Sequence, residues 1–275
     1  MAINQKFTDG LGNAVYNNFF LSNEVEDQFI SHLDLQQFCT VDNSLTGTVG
    51  MTKVIHVYSA TNGTEKLDVN EGNAEAIKVS FKDVDYTIGL AQNRFIWNDE
   101  AAMRDDMLVP VGMKHAGTDM FNKINEEIYA EFKKTTQSVK SALPDFEAFV
   151  DAVALLNVEN DEELNIFAFV SPEDKSKVRK ALKDDLKYVE RFARDGYIGT
   201  VAGVNLYTKK DATKGEIIVA TKDAVTIFNK KGIEVEQERD ANYRKNTVYS
   251  RKYYVVALTD ATKAVKIIHP IPAET

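Results

Sequence analysis

The segments GMTKVIHVYSA (residues 50–60) and AIKVSFKDVDYTIGL (residues 76–90) carry the pattern from which the architecture of this chain follows. In the second segment the apolar residues alternate with polar ones in two groups, Ile77, Val79 and Phe81, then Val84, Tyr86 and Ile88. A period of two is typical of a half-buried β-strand. The joining residues 61–75 are polar and rich in acids, which indicates a solvent-exposed tip. The sequence therefore predicts a long β-hairpin.

This hairpin is too long and too thin to be stable by itself. At ~3.3 Å per residue each strand extends roughly 35 to 50 Å, whereas a compact chain of this length has a radius of gyration of about 19 Å. Ordering a residue costs about 1 to 2 kcal/mol, and burying a Val, Ile or Phe returns about 1.5 to 3 kcal/mol. Because half of its side chains face solvent, the ribbon needs a second surface, on its own subunit or on a neighbouring copy.

The composition is that of an ordinary globular protein. The 275 residues are 44% hydrophobic, and 33 basic residues are dispersed among 42 acidic ones, which argues against tight nucleic-acid binding. Cys39 is the only cysteine, so an intrachain disulfide and a multi-thiolate metal site are excluded. Residues 1–16 lack the pattern of a signal peptide, and no segment approaches the ~20 apolar residues of a membrane span. We therefore expect synthesis in a reducing cytoplasm and no membrane partner.

Outside the hairpin the apolar period changes along the chain. Residues 1–45 predict an arm with an apolar knot at Phe19 and Phe20, then a short helix over residues 24–35. Residues 99–134 predict a helix of ~54 Å with a break near Pro110, which lacks an amide donor and disfavours helix at Val109. From residue 141 helix and strand signals alternate, and the chain closes with strands. This order predicts an α+β protein.

One helix start is marked by side-chain chemistry. Ser171 offers a hydroxyl cap, Pro172 suits a first turn, and Asp174 stands near the positive end of the helix dipole. The sequence therefore predicts a helix that begins here and buries Val178, Leu182 and Leu186.

No catalytic signature emerges from the sequence. Phosphate-binding glycine loops and the Gly-x-Ser-x-Gly nucleophile motif are absent. The four histidines lie far apart without a second ligand at metal-binding spacing: His32, His56, His115 and His269. The cluster at residues 95–97 is compatible with a ligand-stacking surface, although core packing is the favoured interpretation. We predict no enzyme activity, no catalytic residue, no cofactor and no metal.

Three local patterns carry a resemblance to a known family. They are AQNRFIWND (residues 91–99), GYIGTVAGV (residues 196–204) and VYSRKYYVV (residues 248–256). With the order of arm, hairpin, long helix, α/β region and closing strands, they resemble the major capsid protein of tailed bacteriophages, which has the Hong Kong 97-type fold. The resemblance covers about residues 15–268.

The resemblance implies an α+β capsid fold in five parts. These are an N-terminal arm (1–45), an extended β-hairpin loop (46–95), the spine helix of a peripheral domain (96–140), an α/β axial domain (141–231) and C-terminal strands that return to the peripheral domain (232–275). It also implies a structural protein that self-assembles in many copies into the icosahedral head of a tailed phage, around double-stranded DNA. The implied locations are the virion and, during synthesis, the bacterial host cytoplasm.

The resemblance also implies partners. Other copies of the chain would form the hexamers and pentamers of a capsid lattice. A separate scaffolding protein is expected, because many relatives carry a long helical extension where this chain has a short arm. A portal and optionally decoration proteins complete the set, and packaged DNA makes only weak non-specific contact.

Two other functions stay open at this point. An encapsulin-type bacterial nanocompartment shell shares the fold but encloses enzymes, and a soluble α+β enzyme is a more distant alternative. For the capsid hypothesis, the predicted inter-subunit contact residues lie on the hairpin and the arm: Ile77, Val79, Phe81, Val84, Tyr86, Phe19 and Phe20. The sequence does not assign which face of the ribbon meets the neighbour.

Overall fold

The computed structural model describes residues 7–8, 14–15, 33–47, 49–60, 64, 76–156, 165–183 and 199–270. Phe19 and Phe20, most of the predicted helix over residues 24–35, and the hairpin tip apart from Thr64 lie outside these residues. Leu33 and Asp34, at the end of that predicted helix, are not helical, and a short 3-10 helix follows at Leu35–Phe38.

Strands and helices alternate along the described chain, as expected for an α+β protein. In chain order they are β1 (Phe7–Thr8), β2 (Ala14–Val15), β3 (Thr40–Asp42), β4 (Thr52–Ala60), β5 (Val79–Thr87), β6 (Gly89–Asn98), α1 (Asp99–Arg104), α2 (Leu108–Phe132) and β7 (Ser138–Lys140). There follow α3 (Phe146–Leu156), β8 (Phe167–Val170), α4 (Pro172–Ala181), β9 (Thr200–Val201), β10 (Val204–Thr208), β11 (Glu216–Ala220), β12 (Val225–Asp240), β13 (Lys245–Leu258) and β14 (Ala264–Ile268).

The larger sheet has six strands in the order β7-β14-β11-β8-β10-β9. Strand β8 runs parallel to β10 and antiparallel to β11, and β14 joins the sheet between β11 and β7. Phe167 and Phe169 of β8 pack on the side of α2, whereas Ala168 and Val170 pack on the side of α3 and α4. Because helices cover both faces, the central strand is apolar throughout rather than alternating.

The second sheet has four strands in the order β3-β12-β13-β6. Strands β12 and β13 form a long hairpin, and β13 pairs antiparallel with β6 from Asn98 back to Gly89. Among the closing strand segments of the sequence, 224–228 and 233–237 read as two strands, but the structure has one, β12. The register shifts between Asn229 and Glu234 in β12. A β-bulge there, beside Gly232, interrupts the alternation without ending the strand.

Helix α2 joins the two sheets through one buried stripe. Met120, Ile124, Ile128 and Phe132 recur at helical spacing, and all are buried in a core with residues of both sheets. Phe132 meets Phe167 edge-on, with ring centroids 5.8 Å apart. Aromatic pairs in this geometry contribute beyond their buried area.

The predicted break in the long helix lies earlier than Pro110. Helix α1 ends at Arg104 and α2 begins at Leu108, and the amide of Met107 donates to Asp105 Oδ1 at 2.9 Å. Pro110 therefore stands in the first turn of α2, where a helix needs no amide donor, and Val109 is helical after all.

Helix α2 approaches β6 closely at Gly112. Phe95 and Trp97 stack with ring centroids 5.2 Å apart, which supports core packing for this cluster. A Cβ atom at Gly112 would overlap the Phe95 ring, whereas a Cβ at Gly117 would have no atom within 4 Å. The contact with Phe95 therefore requires a glycine at position 112, whereas no contact requires one at position 117.

We expect Gly112→Ala to lower the free energy of unfolding by about 1–2 kcal/mol. Overpacking costs about 1–3 kcal/mol, and the higher helix propensity of alanine returns up to about 1 kcal/mol. The control Gly117→Ala meets no atom, so it is expected to raise the free energy of unfolding by about 0.5–1 kcal/mol. Urea denaturation of the unassembled subunit measures both. Equal stability of the two variants would contradict a tight contact at Gly112.

Candidate inter-subunit contact surface

Strands β4 and β5 form a separate two-stranded ribbon. Their register runs without a shift from Thr52 opposite Thr87 to Ala60 opposite Val79. The predicted hairpin is therefore present, although its second strand ends at Thr87 and β6 begins at Gly89 in a different sheet. Among the described residues, no third strand pairs with the ribbon.

The two predicted groups of apolar residues lie on opposite faces of this ribbon. Because the strand is continuous, Val79 and Phe81 share one face, and Val84 and Tyr86 share the other. Val54 of β4 stands opposite Asp85 and so belongs to the face of Phe81. We call these two faces of the ribbon the odd-numbered face and the even-numbered face, after the residue numbers on β5.

The even-numbered face packs on its own subunit at the root of the ribbon. Tyr86 stacks on Phe228 of β12, with ring centroids 5.2 Å apart and planes 25° apart. Burial, and then the Glu131 carboxylate, raise the pKa of the Tyr86 hydroxyl. Ile88 is 4% exposed, and its amide donates to the Met51 carbonyl at 2.7 Å. These contacts fix the direction in which the ribbon leaves the subunit.

Polar contacts fix the first strand at the same root. The ammonium of Lys53 donates to Ser44 Oγ at 2.7 Å and lies 3.7 Å from Asp42 Oδ2. The Ser44 amide, which donates to Asp42 at 2.7 Å, does most to hold the pKa of that carboxyl low. Gly47 and Gly50 have φ values of +80° and +113°, which suit glycine and turn the chain into β4.

The odd-numbered face is exposed on the subunit. The exposed fractions are 64% for Val79, 64% for Phe81 and 46% for Val54, and Ile77, two residues before β5, is 58% exposed. Several exposed apolar side chains on one face of a ribbon are typical of an interaction surface. Of the residues that the sequence predicted as contacts, Ile77, Val79 and Phe81 are thus accessible to another molecule, whereas Val84 and Tyr86 are partly buried.

Sequence reasoning missed several exposed apolar residues. Val54 had only a weak signal, because apolar residues stand side by side in β4, as Val54 does with Ile55, and so do not mark one face. Six further ones lie on β12 and at α3: Ile233, Val235, Leu143, Phe146, Val150 and Leu155. No local sequence pattern indicated that these side chains are exposed. An apolar period shows that a strand or helix has a buried face, but it does not show which apolar residues stay in solvent.

The described residues contain no arrangement suited to catalysis by a metal or a thiol. No group of three or more His, Cys, Asp or Glu side chains lies close enough together there to hold a metal ion. Burial, and then the Asp34 carboxylate, raise the pKa of the Cys39 thiol to about 12, so it is a poor nucleophile. No described helix is long and apolar enough to cross a membrane.

A buried charge cluster ties α4 to the six-stranded sheet. Asp174 is fully buried; its amide donates to Ser171 Oγ at 3.0 Å, and its Oδ2 accepts from the Ser171 hydroxyl at 2.7 Å and the Gly215 amide at 3.0 Å. Its other oxygen lies 3.1 Å from the ammonium of Lys177 and 3.1 Å from Nε2 of His269. The predicted helix start is confirmed, but its acid also makes contacts far along the chain.

Comparison with known proteins identifies the family. The family model described as phage capsid protein matches residues 83–267. The major capsid protein of Staphylococcus phage phiMR11 is 23% identical over 253 residues, which cover 88% of this chain and 89% of that protein.

Solved structures share the fold at low sequence identity. A capsid protein of a native GTA particle has a TM-score of 0.69 at 14% identity and covers 86% of this chain and 90% of its own. A chain from Mycobacterium phage Che8 has a TM-score of 0.65 at 17% identity and covers 82% of this chain and 88% of its own. The Hong Kong 97-type capsid fold implied by the sequence is therefore present, and this chain belongs to the phage capsid protein family.

Proposed function

We propose that this chain is the major capsid protein of a tailed bacteriophage and that many copies assemble into an icosahedral head around double-stranded DNA. The observation that carries the proposal is the ribbon of β4 and β5, rooted by Tyr86 on Phe228 and exposing Ile77, Val79 and Phe81 on its outer face. Membership in a capsid protein family gives this surface a partner, which is a further copy of the same chain. The role is structural and not enzymatic.

In this proposal the ribbon clamps a neighbouring subunit. Laying the face of Val54, Val79 and Phe81 on another copy would bury apolar side chains that the isolated subunit leaves in water. A modest contact repeated at every subunit of a closed shell gives a large total stabilisation. Phe19 and Phe20 of the arm, and the partly buried Val84 and Tyr86 at the root, complete the proposed contact set.

The proposed domain division has five parts along the chain. An arm (1–45) and an extended loop (46–95) precede a peripheral domain built on the spine helix (96–140) and completed by C-terminal strands (232–275). Residues 141–231 form the axial domain. We refine this division where strands cross its boundaries. Strands β7 and β14 lie in the six-stranded sheet, and β12 runs in the four-stranded sheet from residue 225 onward.

The negative net charge of the subunit bears on its proposed contacts with DNA and with other copies. With a net charge of −9, the subunit would contact packaged DNA only weakly, and assembled copies would repel one another, so assembly should depend on ionic strength. We further propose synthesis in the host cytoplasm, a separate scaffolding protein, hexamers and pentamers in the shell, a portal and optional decoration proteins.

The two alternative functions are weaker. The encapsulin shell shares the fold, but the matching family model and the curated relative are both of phage capsids. Family membership also disfavours the soluble enzyme.

Expression of the chain with and without its scaffolding protein tests the proposal. We expect closed shells in negative-stain micrographs and a particle peak on a size-exclusion column, with a yield that changes with salt. A 30.8 kDa monomer under every salt and scaffold condition would contradict the proposed function. Shells that carry a bound peptide cargo and no DNA during infection would instead support the nanocompartment alternative.

A further inference from the structure

The outer face of helix α3 combines apolar and acidic side chains. Phe146 and Val150 stand one helical turn apart, and their exposed fractions are 49% and 43%. Glu147 and Asp151, also one turn apart and exposed, lie beside them. Residues 141–156 contain no basic residue. Exposed apolar side chains grouped on one helix face are typical of an interaction surface, and the charge of this surface is negative.

A cavity of the opposite charge lies between helix α4 and strand β10. Its volume is about 320 Å³, and it is lined by Lys175 and Arg179, which stand one turn apart on α4. Leu206 and Tyr207 of β10 add an apolar wall. The Lys175 ammonium donates to Thr208 Oγ1 at 2.9 Å, which holds it beside β10. Among the described residues, the lining includes no acid.

The two cations of this cavity repel each other. Burial, and then the Arg179 guanidinium, lower the pKa of the Lys175 ammonium. Like charges one turn apart on a helix are destabilising, and the part of the lining that the structure describes supplies no carboxylate to offset them. An acidic side chain brought into the cavity from outside would therefore relieve the repulsion.

The acidic face and the basic cavity lie at opposite edges of one sheet. In the described chain, β7 ends the six-stranded sheet beside α3, and β9 ends it beside the cavity, which Thr200 lines. Both helices cover the same side of this sheet. Because strands are spaced ~4.8 Å apart, the two edges are separated by roughly 24 Å. The acidic face therefore cannot reach the cavity of its own subunit, but it can reach that of another copy.

We infer that α3 of one copy docks on the cavity between α4 and β10 of the next copy, so that copies join head to tail. Glu147 and Asp151 face the two cations, and the apolar side chains beside them pack on the apolar wall. The occupant is a second copy because the two surfaces match in charge and in apolar content, so that one contact covers both. Head-to-tail contacts generate a ring when the rotation closes. This inference rests on the proposed function and adds a second contact to the ribbon clamp.

Two matched variants of α4 test the charge of the cavity. Arg179→Glu reverses a cation of the lining, and Lys180→Glu reverses the neighbouring exposed cation, which does not line it. We expect Arg179→Glu to raise the subunit concentration needed for shell assembly by about tenfold or more, because it sets like charges against each other. Lys180→Glu should stay within about twofold of the wild type, the usual range for an exposed charge. Equal behaviour of the two variants would overturn the proposal.

The melting temperature of the unassembled subunit separates docking from folding. Arg179 is exposed, and a glutamate there would stand one turn from Lys175, so Arg179→Glu should melt no lower than the wild type. A lower melting temperature together with normal assembly would assign Arg179 a structural role only, which would overturn the proposal.

A second reversal on α3 tests the pairing of the two surfaces. Asp151→Lys alone is expected to weaken assembly, because it brings a cation to the basic cavity. In one chain with Arg179→Glu, every head-to-tail contact again joins opposite charges, so assembly should recover to within about threefold of the wild type. The two positions lie at opposite edges of the sheet, so this recovery cannot arise inside one subunit. A double variant that assembles no better than either single variant would overturn the proposal.

A crosslink identifies the contact directly. Phe146 is exposed on α3, so a photoreactive p-benzoylphenylalanine can replace it. Shells assembled from a mixture of ¹⁴N- and ¹⁵N-labelled chains are irradiated and digested. We expect peptides that join a light and a heavy chain and that contain residues of α4 or β10. Crosslinks to α3 of the other chain, or none between chains, would overturn the assignment. Absence of shells from the wild type would instead contradict the proposed function, and this inference with it.

Discussion

Replacing Phe81 with aspartate is expected to abolish shell formation while the isolated subunit keeps its fold. Phe81 is 64% exposed in the subunit, so a carboxylate there remains largely hydrated and costs little. In the proposed interface the same carboxylate would be buried without a partner, which carries a penalty of several kcal/mol. Because every copy of the lattice repeats the contact, the penalty multiplies and closed shells should disappear.

The neighbouring residue supplies the control. Ser80→Asp adds the same charge at almost the same distance from the tip, but successive side chains of a strand point to opposite faces. We expect Ser80→Asp to assemble nearly as well as the wild type. Sucrose-gradient sedimentation measures shell yield for both variants, and circular dichroism checks that the subunits are folded. Normal shells from Phe81→Asp with none from Ser80→Asp would move the contact to the other face.

The hairpin was predictable because its signal is local. Alternation at Ile77, Val79 and Phe81 is a property of consecutive residues, and the structure has the expected antiparallel ribbon. The role of each face was not predictable. Tyr86 turns toward the subunit because it stacks on Phe228, which is far along the chain, and no local pattern encodes that contact.

The position of the helix break could not be decided from the sequence, because Pro110 is compatible either with a break or with the first turn of a helix. Pro110 predicts an interruption, but proline is tolerated in a first turn, so the break moved to the side where Asp105 caps the amide of Met107. The exact start depended on a side-chain hydrogen bond rather than on propensity.

Asp174→Asn is expected to lower the free energy of unfolding of the subunit by about 3–5 kcal/mol, the usual effect of removing one partner from a buried ion pair. The amide can still accept from Ser171 and Gly215, but Lys177 and His269 would face an NH₂ group instead of a carboxylate oxygen. The variant thus keeps the helix cap and loses the charge that joins α4 to the end of β14. Urea denaturation of the unassembled subunit measures the loss.

A pH series and a variant of the neighbouring Glu173 test whether the negative charge of Asp174 accounts for the loss of stability. Burial would raise the pKa of Asp174, but the Ser171 hydroxyl, the Gly215 amide, Lys177 and His269 outweigh it and hold the pKa below its usual value. A depressed native pKa stabilises the fold above the unfolded value of about 3.9, and this stabilisation is lost as the pH falls through the native pKa. The difference between the wild type and Asp174→Asn should therefore be full at neutral pH and shrink below about pH 4. Glu173→Gln, in the same helical turn, loses only partly exposed pairs with Lys177 and Lys214 and should shift the urea midpoint only slightly. If the two variants were equally stable at neutral pH, the buried charge would have no special part in holding α4 to the sheet.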